Sequence, residues 1–383
     1  MQGKGKSMYF DQEAENKRRR RQIRNWIILV ALVMAVLLGL RLLRNVGGTT
    51  EMKVNRLTCF ASQNVTPFGD NVLYYDDASI HCLTSDGAVR WSFPVGGGAS
   101  FVASDNYLVI WQGTQVYIVN QNGNATYNDT MSAEVQFARV GEKYVAVVTD
   151  SDVSPELSIL DMKGLKVDVE REAFDNRLLL DVGFYGEQGE YLWTLAMDVY
   201  GTAVNTVMHT FQVGKMNTGE VSLGEKLAYK VLFENKKLRV FTTQQLYTFD
   251  YKAVQDTNST MLVYGWKLID QAIPDRGDAR LLLAPISQTN SSQQISELRL
   301  LTGTDDRRFA LPESCVGAMV RGQSIYAFSG SYLYRSDVNN QRFYAYALPL
   351  PEGESITAYL GELTGGKVLL ASGETVYAVT LPQ

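Results

Sequence analysis

The chain offers few side chains suited to acid–base, metal or nucleophilic chemistry. Its two histidines, His81 and His209, lie in the strand-like runs SIHCLT and TVMHTF. A metal site or a histidine-dependent nucleophile needs partners in a defined arrangement, and no pattern around either histidine supplies them. The complete phosphate-binding sequence G-x-x-x-x-G-K-[ST] and the nucleophile elbow G-x-S-x-G are also missing. We therefore expect both histidines to be ordinary strand residues.

One acidic stretch could suit a hard cation. Asp150, Asp152, Ser154 and Glu156 place an oxygen ligand at every second position. The stretch lacks the glycine and the twelve-residue spacing of a calcium loop, and Pro155 interrupts it. An exposed acidic loop is the simpler interpretation, so we predict neither a metal nor a cofactor.

The three cysteines, Cys59, Cys82 and Cys315, do not form a disulfide framework, because their number is odd. Cys82 stands in an apolar run and is expected to be buried as a small hydrophobic residue. A Cys59–Cys82 bridge remains an open alternative.

The elements that would position any site are short β-strands. Runs rich in Val, Ile, Tyr and Phe, such as VLYY at 72–75 and YLVIW at 107–111, are bounded by Gly, Asp and Asn. The strands group into repeats of about 42 residues, which is typical of four-stranded propeller blades. The clearest copies begin near Phe68, Ala103, Val140 and Leu363. More degenerate copies lie near 178–226, 229–268, 269–313 and 316–350.

The repeats predict an all-β, eight-bladed β-propeller, with seven blades as the alternative. The last unit ends after its third strand, at Leu381, whereas Lys53–Phe60 forms a spare strand before the first unit. Pairing of the two would close the ring and leave no exposed edge. We expect one propeller domain over residues 54–383.

A single transmembrane helix is predicted before the propeller, over residues 26–43, with Trp26, Arg41 and Arg44 as interfacial anchors. The segment WIILVALVMAVLLGLRLL contains 18 residues and one charge. Such a helix spans roughly 27 Å, close to the hydrocarbon thickness. A cleaved signal peptide is the alternative, but it needs small residues where Arg41-Leu-Leu-Arg44 stand.

Charge gives the orientation. The net charge of −5 divides into +5 over the tail 1–25, +2 over 26–44 and −12 over the rest. The positive-inside rule places the basic tail in the cytoplasm, so the linker 44–53 and the propeller lie outside the cell membrane. An acidic propeller repels polyanions, so no nucleic-acid partner is predicted.

The segment Asp86-Gly87-Ala-Val-Arg-Trp91 resembles the repeat of the PQQ-like (quinoprotein dehydrogenase-like) β-propeller superfamily. The resemblance implies that Gly87 supplies a positive φ in a turn and that Trp91 locks adjacent blades together. Gly123 and Gly164 keep the turn without the tryptophan. The whole chain also resembles uncharacterised membrane-anchored propeller proteins of Gram-positive bacteria. The quinone enzymes of the superfamily need an adjacent-cysteine disulfide, which this chain cannot form.

These features favour a non-catalytic, extracytoplasmic scaffold that is tethered to the bilayer and binds an envelope protein or a cell-wall polymer. The long inserts 150–157, 198–205, 252–260 and 286–295, together with the central funnel, are the candidate binding surface. The alternatives are an envelope enzyme, such as a glycan hydrolase, and a ligand sensor. Two funnel carboxyl groups, one with a raised pKa, would favour the enzyme.

Overall fold

Short runs of β-branched and aromatic residues form the strands of this chain, and Gly, Asp and Asn residues form its turns. The computed structural model describes Met34 and residues 52–150, 154–186, 188–274, 276–290 and 294–382. Within residues 52–380, 32 strands form eight four-stranded antiparallel sheets. The prediction of an eight-bladed β-propeller is confirmed, and the alternative of seven blades is wrong.

Blades 1 to 4 each consist of four consecutive strands. Their strands are β2 (Thr66–Phe68), β3 (Asn71–Tyr75), β4 (Ser79–Thr84) and β5 (Val89–Pro94); β6 (Ser100–Ala103), β7 (Tyr107–Gln112), β8 (Gln115–Asn120) and β9 (Ala125–Thr130); β10 (Val135–Val140), β11 (Tyr144–Thr149), β12 (Glu156–Asp161) and β13 (Lys166–Glu170); and β14 (Arg177–Tyr185), β15 (Tyr191–Asp198), β16 (Asn205–Gln212) and β17 (Met216–Gly224).

Blades 5 to 7 repeat this order, and blade 8 takes its fourth strand from the start of the propeller. Their strands are β18 (Ala228–Glu234), β19 (Lys237–Thr242), β20 (Gln245–Phe249) and β21 (Met261–Leu262); β22 (Trp266–Ala272), β23 (Arg280–Pro285), β24 (Ile295–Thr302) and β25 (Asp305–Cys315); β26 (Gly317–Arg321), β27 (Ser324–Phe328), β28 (Tyr332–Asp337) and β29 (Tyr344–Ala347); and β30 (Ala358–Leu363), β31 (Lys367–Ser372), β32 (Thr375–Thr380) and β1 (Val54–Phe60). Short helices lie in three connections: η1 (Glu172–Phe174), η2 (Thr257–Ser259) and α1 (Ile286–Asn290).

The first strand of each blade lies innermost. β2 contacts both β6 and β30, and β26 contacts both β22 and β30, so first strands of neighbouring blades meet around the axis. Because the strands alternate in direction, the connections fall at two ends of the ring. The end with the second-to-third and blade-to-blade connections is called the upper end here, and the opposite end the lower end.

Pairing of β1 with β32 closes the ring, as the spare N-terminal strand predicted. Val54 pairs with Val379, and Phe60 pairs with Thr375. Leu57 and Cys59 of β1 are buried in one apolar cluster with Val376. The closure therefore buries side chains and satisfies backbone groups that an open edge would expose.

One predicted repeat boundary is wrong. The fifth and sixth units were expected to meet between residues 268 and 269, but Trp266 already begins β22. Gly265 carries a φ of +81° and ends the connection between the blades. The single turn glycine, rather than the apolar run after it, marks the boundary.

The predicted transmembrane segment 26–43 lies outside the described residues, apart from Met34. The predicted interfacial anchors Trp26, Arg41 and Arg44 also lie outside the described residues. In the part of the chain that the structure describes, no helix has the length and apolar character to cross a bilayer.

Replacement of Leu57 by alanine should weaken the ring closure. Leu57 is 4% exposed, so its truncation leaves a cavity and should lower the free energy of unfolding by about 2–5 kcal/mol. Val89, on the outer strand of blade 1, is 61% exposed, and Val89→Ala should stay within about 0.5 kcal/mol. Urea denaturation of both variants checks this expectation, and equal losses would contradict the closure as a source of stability.

Candidate functional site

The repeat residue Trp91 joins blade 1 to blade 2. It lies on β5, and its indole Nε1 donates a hydrogen bond to the carbonyl of Gln121 at 3.0 Å. Its ring covers Gly123, where a Cβ atom would lie 2.7 Å from the ring carbons. Gly123 therefore serves the turn twice, through its φ of +79° and through the space that it leaves for the indole.

Blade 2 holds blade 3 in the same way. Tyr127 stands four residues after Gly123, as Trp91 stands four residues after Gly87. Its ring covers Gly164, where any Cβ atom would overlap with the aromatic carbons. Sequence reasoning missed Tyr127 because only the tryptophan was taken as the signal; the common spacing from the turn glycine would have found it.

The predicted residues Asp86 and Gly87 lie at the ring closure. The Asp86 carboxylate accepts hydrogen bonds from Asn55 Nδ2 at 2.8 Å and from Lys367 Nζ at 3.2 Å. Gly87 has a φ of +90° and lies beside the backbone of Arg56, whose carbonyl oxygen would be 3.5 Å from a Cβ atom at this position. The outer strand of blade 8 therefore binds the turn of blade 1 just as β5 and β9 bind the turns that follow them.

The histidines occupy different environments. His81 Nε2 lies 2.8 Å from Asp76 Oδ2, and its Nδ1 lies 2.7 Å from Ser92 Oγ. His209 is buried, and its Nε2 lies 3.2 Å from both Glu220 and Arg177. Burial lowers the pKa of His209, which favours the neutral imidazole.

The acidic stretch does not gather its oxygen atoms around a common point. The buried Glu156 carboxylate pairs with Arg171 and Lys166 and accepts a hydrogen bond from Ser158 Oγ at 2.9 Å. Ser154 Oγ donates to Asp175 at 2.7 Å. Among the described residues, no group of three His, Cys, Asp or Glu side chains has a metal-binding arrangement.

All three cysteines are buried and unpaired, so the open alternative of a Cys59–Cys82 bridge is wrong. Burial raises the pKa of both these thiols to about 11 and that of Cys315 to about 12. Thiols with such pKa values are protonated at neutral pH and are poor nucleophiles.

The inner strands place charged groups around the axis. Arg139 on β10 pairs with Asp181 on β14 at 2.9 Å. On the opposite arc, Arg321 on β26 pairs with Glu362 on β30. Register shifts occur in five of the inner strands, β10, β14, β18, β22 and β30. Such bulges re-aim side chains next to the axis.

Asp270 is the most perturbed carboxyl group of this funnel. Its Oδ2 accepts a hydrogen bond from the backbone N–H of Val320 in blade 7 at 2.7 Å. Burial raises the pKa of Asp270 to about 6, and the charge of Glu362 adds to the rise. Burial also raises the pKa of Glu362 and of Tyr359. Asp270 therefore joins two blades, and its carboxyl group is protonated below a pH of about 6.

The upper end of blades 4 and 5 exposes a set of large apolar side chains, which we call the upper apolar face. Tyr200 and Tyr264 are 73% and 72% exposed. Two of the connections that carry this face, those of Leu227 and Tyr264, are linked through residues 243–244, since Thr243 N donates to the carbonyl of Leu227 and Val263 N donates to that of Gln244. The face consists of Leu178, Val199, Tyr200, Val204, Leu227 and Tyr264.

The predicted inserts do not share one surface. The connections at 150–157, 198–205 and 286–295 join second to third strands and lie at the upper end. The insert 252–260 joins β20 to β21 and lies at the lower end. Only 198–205 contributes to the upper apolar face.

Comparisons with known proteins give a family and a fold. The profile of a family of unknown function (DUF5711) matches residues 48–264, more than half of the chain. The comparison with curated proteins gave no match.

Several solved structures are similar in fold. Sqt1 of Saccharomyces cerevisiae is 12% identical with a TM-score of 0.53, and the alignment covers 86% of this chain and 99% of that one. A eukaryotic initiation factor is 11% identical with a TM-score of 0.50 and 80% of each chain covered. BamB from Moraxella catarrhalis is 9% identical with a TM-score of 0.49, over 86% of this chain and 96% of that one. Likeness at this level extends to the fold alone.

Alanine at Gly123 should cost more than alanine at Gly113. Both glycines have a positive φ, +79° and +56°, so both substitutions strain the backbone by about 1–2 kcal/mol. Only at Gly123 does the new methyl group meet Trp91, whereas Gly113 has open space. Overpacking should add about 1–3 kcal/mol at Gly123. Equal unfolding midpoints in urea for the two variants would contradict this contact.

The contribution of Asp270 to stability should fall as the pH rises from about 4 to about 6. In that window Asp270 is protonated in the folded protein, whereas the same group in the unfolded chain, with a pKa of 3.8, has released its proton. Because the folded state binds the extra proton, raising the pH lowers the free energy of unfolding. The loss is at most about 3 kcal/mol, from a shift of roughly two pKa units. Asp270→Asn should remove this contribution, so the variant should gain stability relative to the unaltered chain as the pH rises from about 4 to about 6 and should be more stable at pH 7. An unchanged profile in denaturation experiments would show that Asp270 does not titrate in this range.

Proposed function

Because the chain belongs to the family of unknown function DUF5711, which brings no activity with it, we propose a function from its own surfaces. The protein is a non-catalytic β-propeller that is anchored in the cell membrane by residues 26–43 and binds an envelope protein on the outer side. The single observation that carries the proposal is the upper apolar face. Exposed patches of this kind mark interaction sites on soluble domains.

The chemistry of the face indicates the kind of partner. Two exposed tyrosines supply large, stiff contact areas of the type that is enriched at protein interfaces. Residues 45–383 carry a net charge of −12. A partner with an apolar centre and a basic rim would be attracted to this surface and would bury the face.

The membrane anchor supports the same function. The sequence of residues 26–43 has the length and apolar character of a span, and the basic tail before it favours a cytoplasmic N-terminus. Tethering would hold the propeller near envelope partners and raise their effective concentration. We assign the ring to the PQQ-like superfamily, as in Gram-positive membrane-anchored propellers, on the Asp86-Gly87 turn followed by Trp91.

A catalytic function is the second candidate, and one observation favours it. Asp270 and Glu362 are two acids of the inner strands, and the raised pKa of Asp270 is what the general acid of a glycan hydrolase would require. However, Glu362 pairs with Arg321, and Asp270 accepts the backbone N–H of Val320. Both carboxyl groups thus have structural partners, which supports the scaffold.

Replacement of Tyr200 and Tyr264 by serine should weaken binding of the envelope partner to the upper apolar face. We expect cross-linking in membranes, followed by mass spectrometry, to capture one envelope complex with the unaltered chain and at least tenfold less with the double variant. Truncation of such aromatic contacts commonly costs 2 kcal/mol or more, about thirtyfold in affinity.

The matched control is Tyr344→Ser. Tyr344 is also exposed, but it lies on the outer strand of blade 7, away from the upper apolar face. The control should capture the same complex as the unaltered chain. Equal capture by all three proteins would overturn the proposed docking face. Capture of nothing, combined with glycan turnover that Asp270→Asn abolishes, would favour the enzyme instead.

A further inference from the structure

A polar cleft opens between blades 5 and 6 at the lower end of the ring, opposite to the upper apolar face. Its volume of about 560 Å³ lies within the usual range for small-molecule sites. The cleft exists because β21 has only two residues, Met261–Leu262, where the fourth strands of the other blades have four to eleven. The insert around η2 crosses this side of the blade and supplies Asn258 and Ser259 to the lining.

A buried ion pair lines the cleft. Arg239 donates from Nη1 to Glu234 Oε1 at 2.7 Å, and the two residues are only 8% and 7% exposed. Neither Glu234 Oε2 nor Arg239 Nε has a hydrogen-bond partner among the residues that the structure describes. Buried polar atoms of folded proteins are almost always bonded, so one acceptor and one donor here await a partner.

The charges of the cleft limit the ligand. Glu234 and Arg239 neutralise each other, and Lys237 pairs with Asp256 at 3.0 Å. The further charged residue of the lining, Asp278, is negative and would repel an anion. A neutral ligand leaves these pairs balanced, whereas an anion would have to be desolvated without compensation.

The two unbonded atoms match an amide group. An amide presents one N–H donor, for Glu234 Oε2, and one C=O acceptor, for Arg239 Nε, without bringing a charge. The other polar lining side chains, including Thr248, Asn258 and Ser259, can each both donate and accept, as suits hydroxyl groups. We propose that the cleft binds a neutral saccharide that carries acetamido groups. This inference does not depend on the docking face of blades 4 and 5.

Titration of the full chain in detergent micelles with N,N′-diacetylchitobiose tests the site. We expect saturable binding with a Kd below about 1 mM by calorimetry. Cellobiose, which has hydroxyl groups but no acetamido group, should bind at least tenfold more weakly. Glu234→Gln should weaken chitobiose binding at least tenfold, because the new amide has a single oxygen, which cannot accept from both Arg239 and the ligand N–H.

A second variant, Thr304→Trp, tests the site independently if Glu234→Gln fails to fold. Thr304 lies on the exposed rim of the cleft, directly after Gly303 with a φ of +56°, and Thr304→Trp should block entry without disturbing the core. Thr114 follows Gly113 in an equally exposed turn with the same φ, at the upper end of blade 2. Thr114→Trp should therefore bind chitobiose like the unaltered chain.

Three results would overturn the proposal. They are the lack of saturable binding up to about 10 mM chitobiose, binding that Thr304→Trp leaves unchanged, and equal or tighter binding of the neutral peptide N-acetyl-trialanine amide. The last result would assign the cleft to a peptide.

Discussion

The structure depends on the packing of each outer strand against the turn of the next blade. A propeller sheet cannot bury both of its faces alone, so every blade needs a neighbour in a fixed orientation. Trp91 and Tyr127 fix that orientation by filling the space above Gly123 and Gly164. Asn55 takes the same role at the closure, where a hydrogen bond to Asp86 replaces the aromatic ring. The outer strand thus contacts the next turn at the same place in these three junctions, through an aromatic ring in two of them and through a hydrogen bond at the closure.

Much of the architecture could be predicted from the sequence because it follows from local patterns. The alternation of strand runs with Gly, Asp and Asn turns predicted the eight units, and the spare strand Lys53–Phe60 predicted the closure of the ring. The Trp266 boundary was misplaced because apolar residues run across it, so composition alone does not divide the two blades. Tyr127 was overlooked because its role depends on a glycine of another blade, Gly164, which only the fold brings near.

The sites were less predictable for a related reason. The lower cleft exists because one strand is short, and Glu234 and Arg239 matter only because burial leaves two of their atoms unbonded. Asp270 looks like any other strand aspartate until blade 7 places the N–H of Val320 beside it. Each of these properties arises from packing between blades, which a linear pattern does not encode. The histidines, by contrast, were rightly placed on strands from their local sequence.

The closure also sets the order of events when the protein is made. Val54 is among the first residues of the ring to be synthesised, yet its partner Val379 is among the last. Until β32 is complete, β1 has no strand to pair with, and seven blades must form as an open arc with one unprotected edge. Contacts so distant in sequence are slow to form, and their late arrival exposes apolar strands to misassociation. The first strand of such a ring therefore stays unpaired during synthesis until β32 emerges.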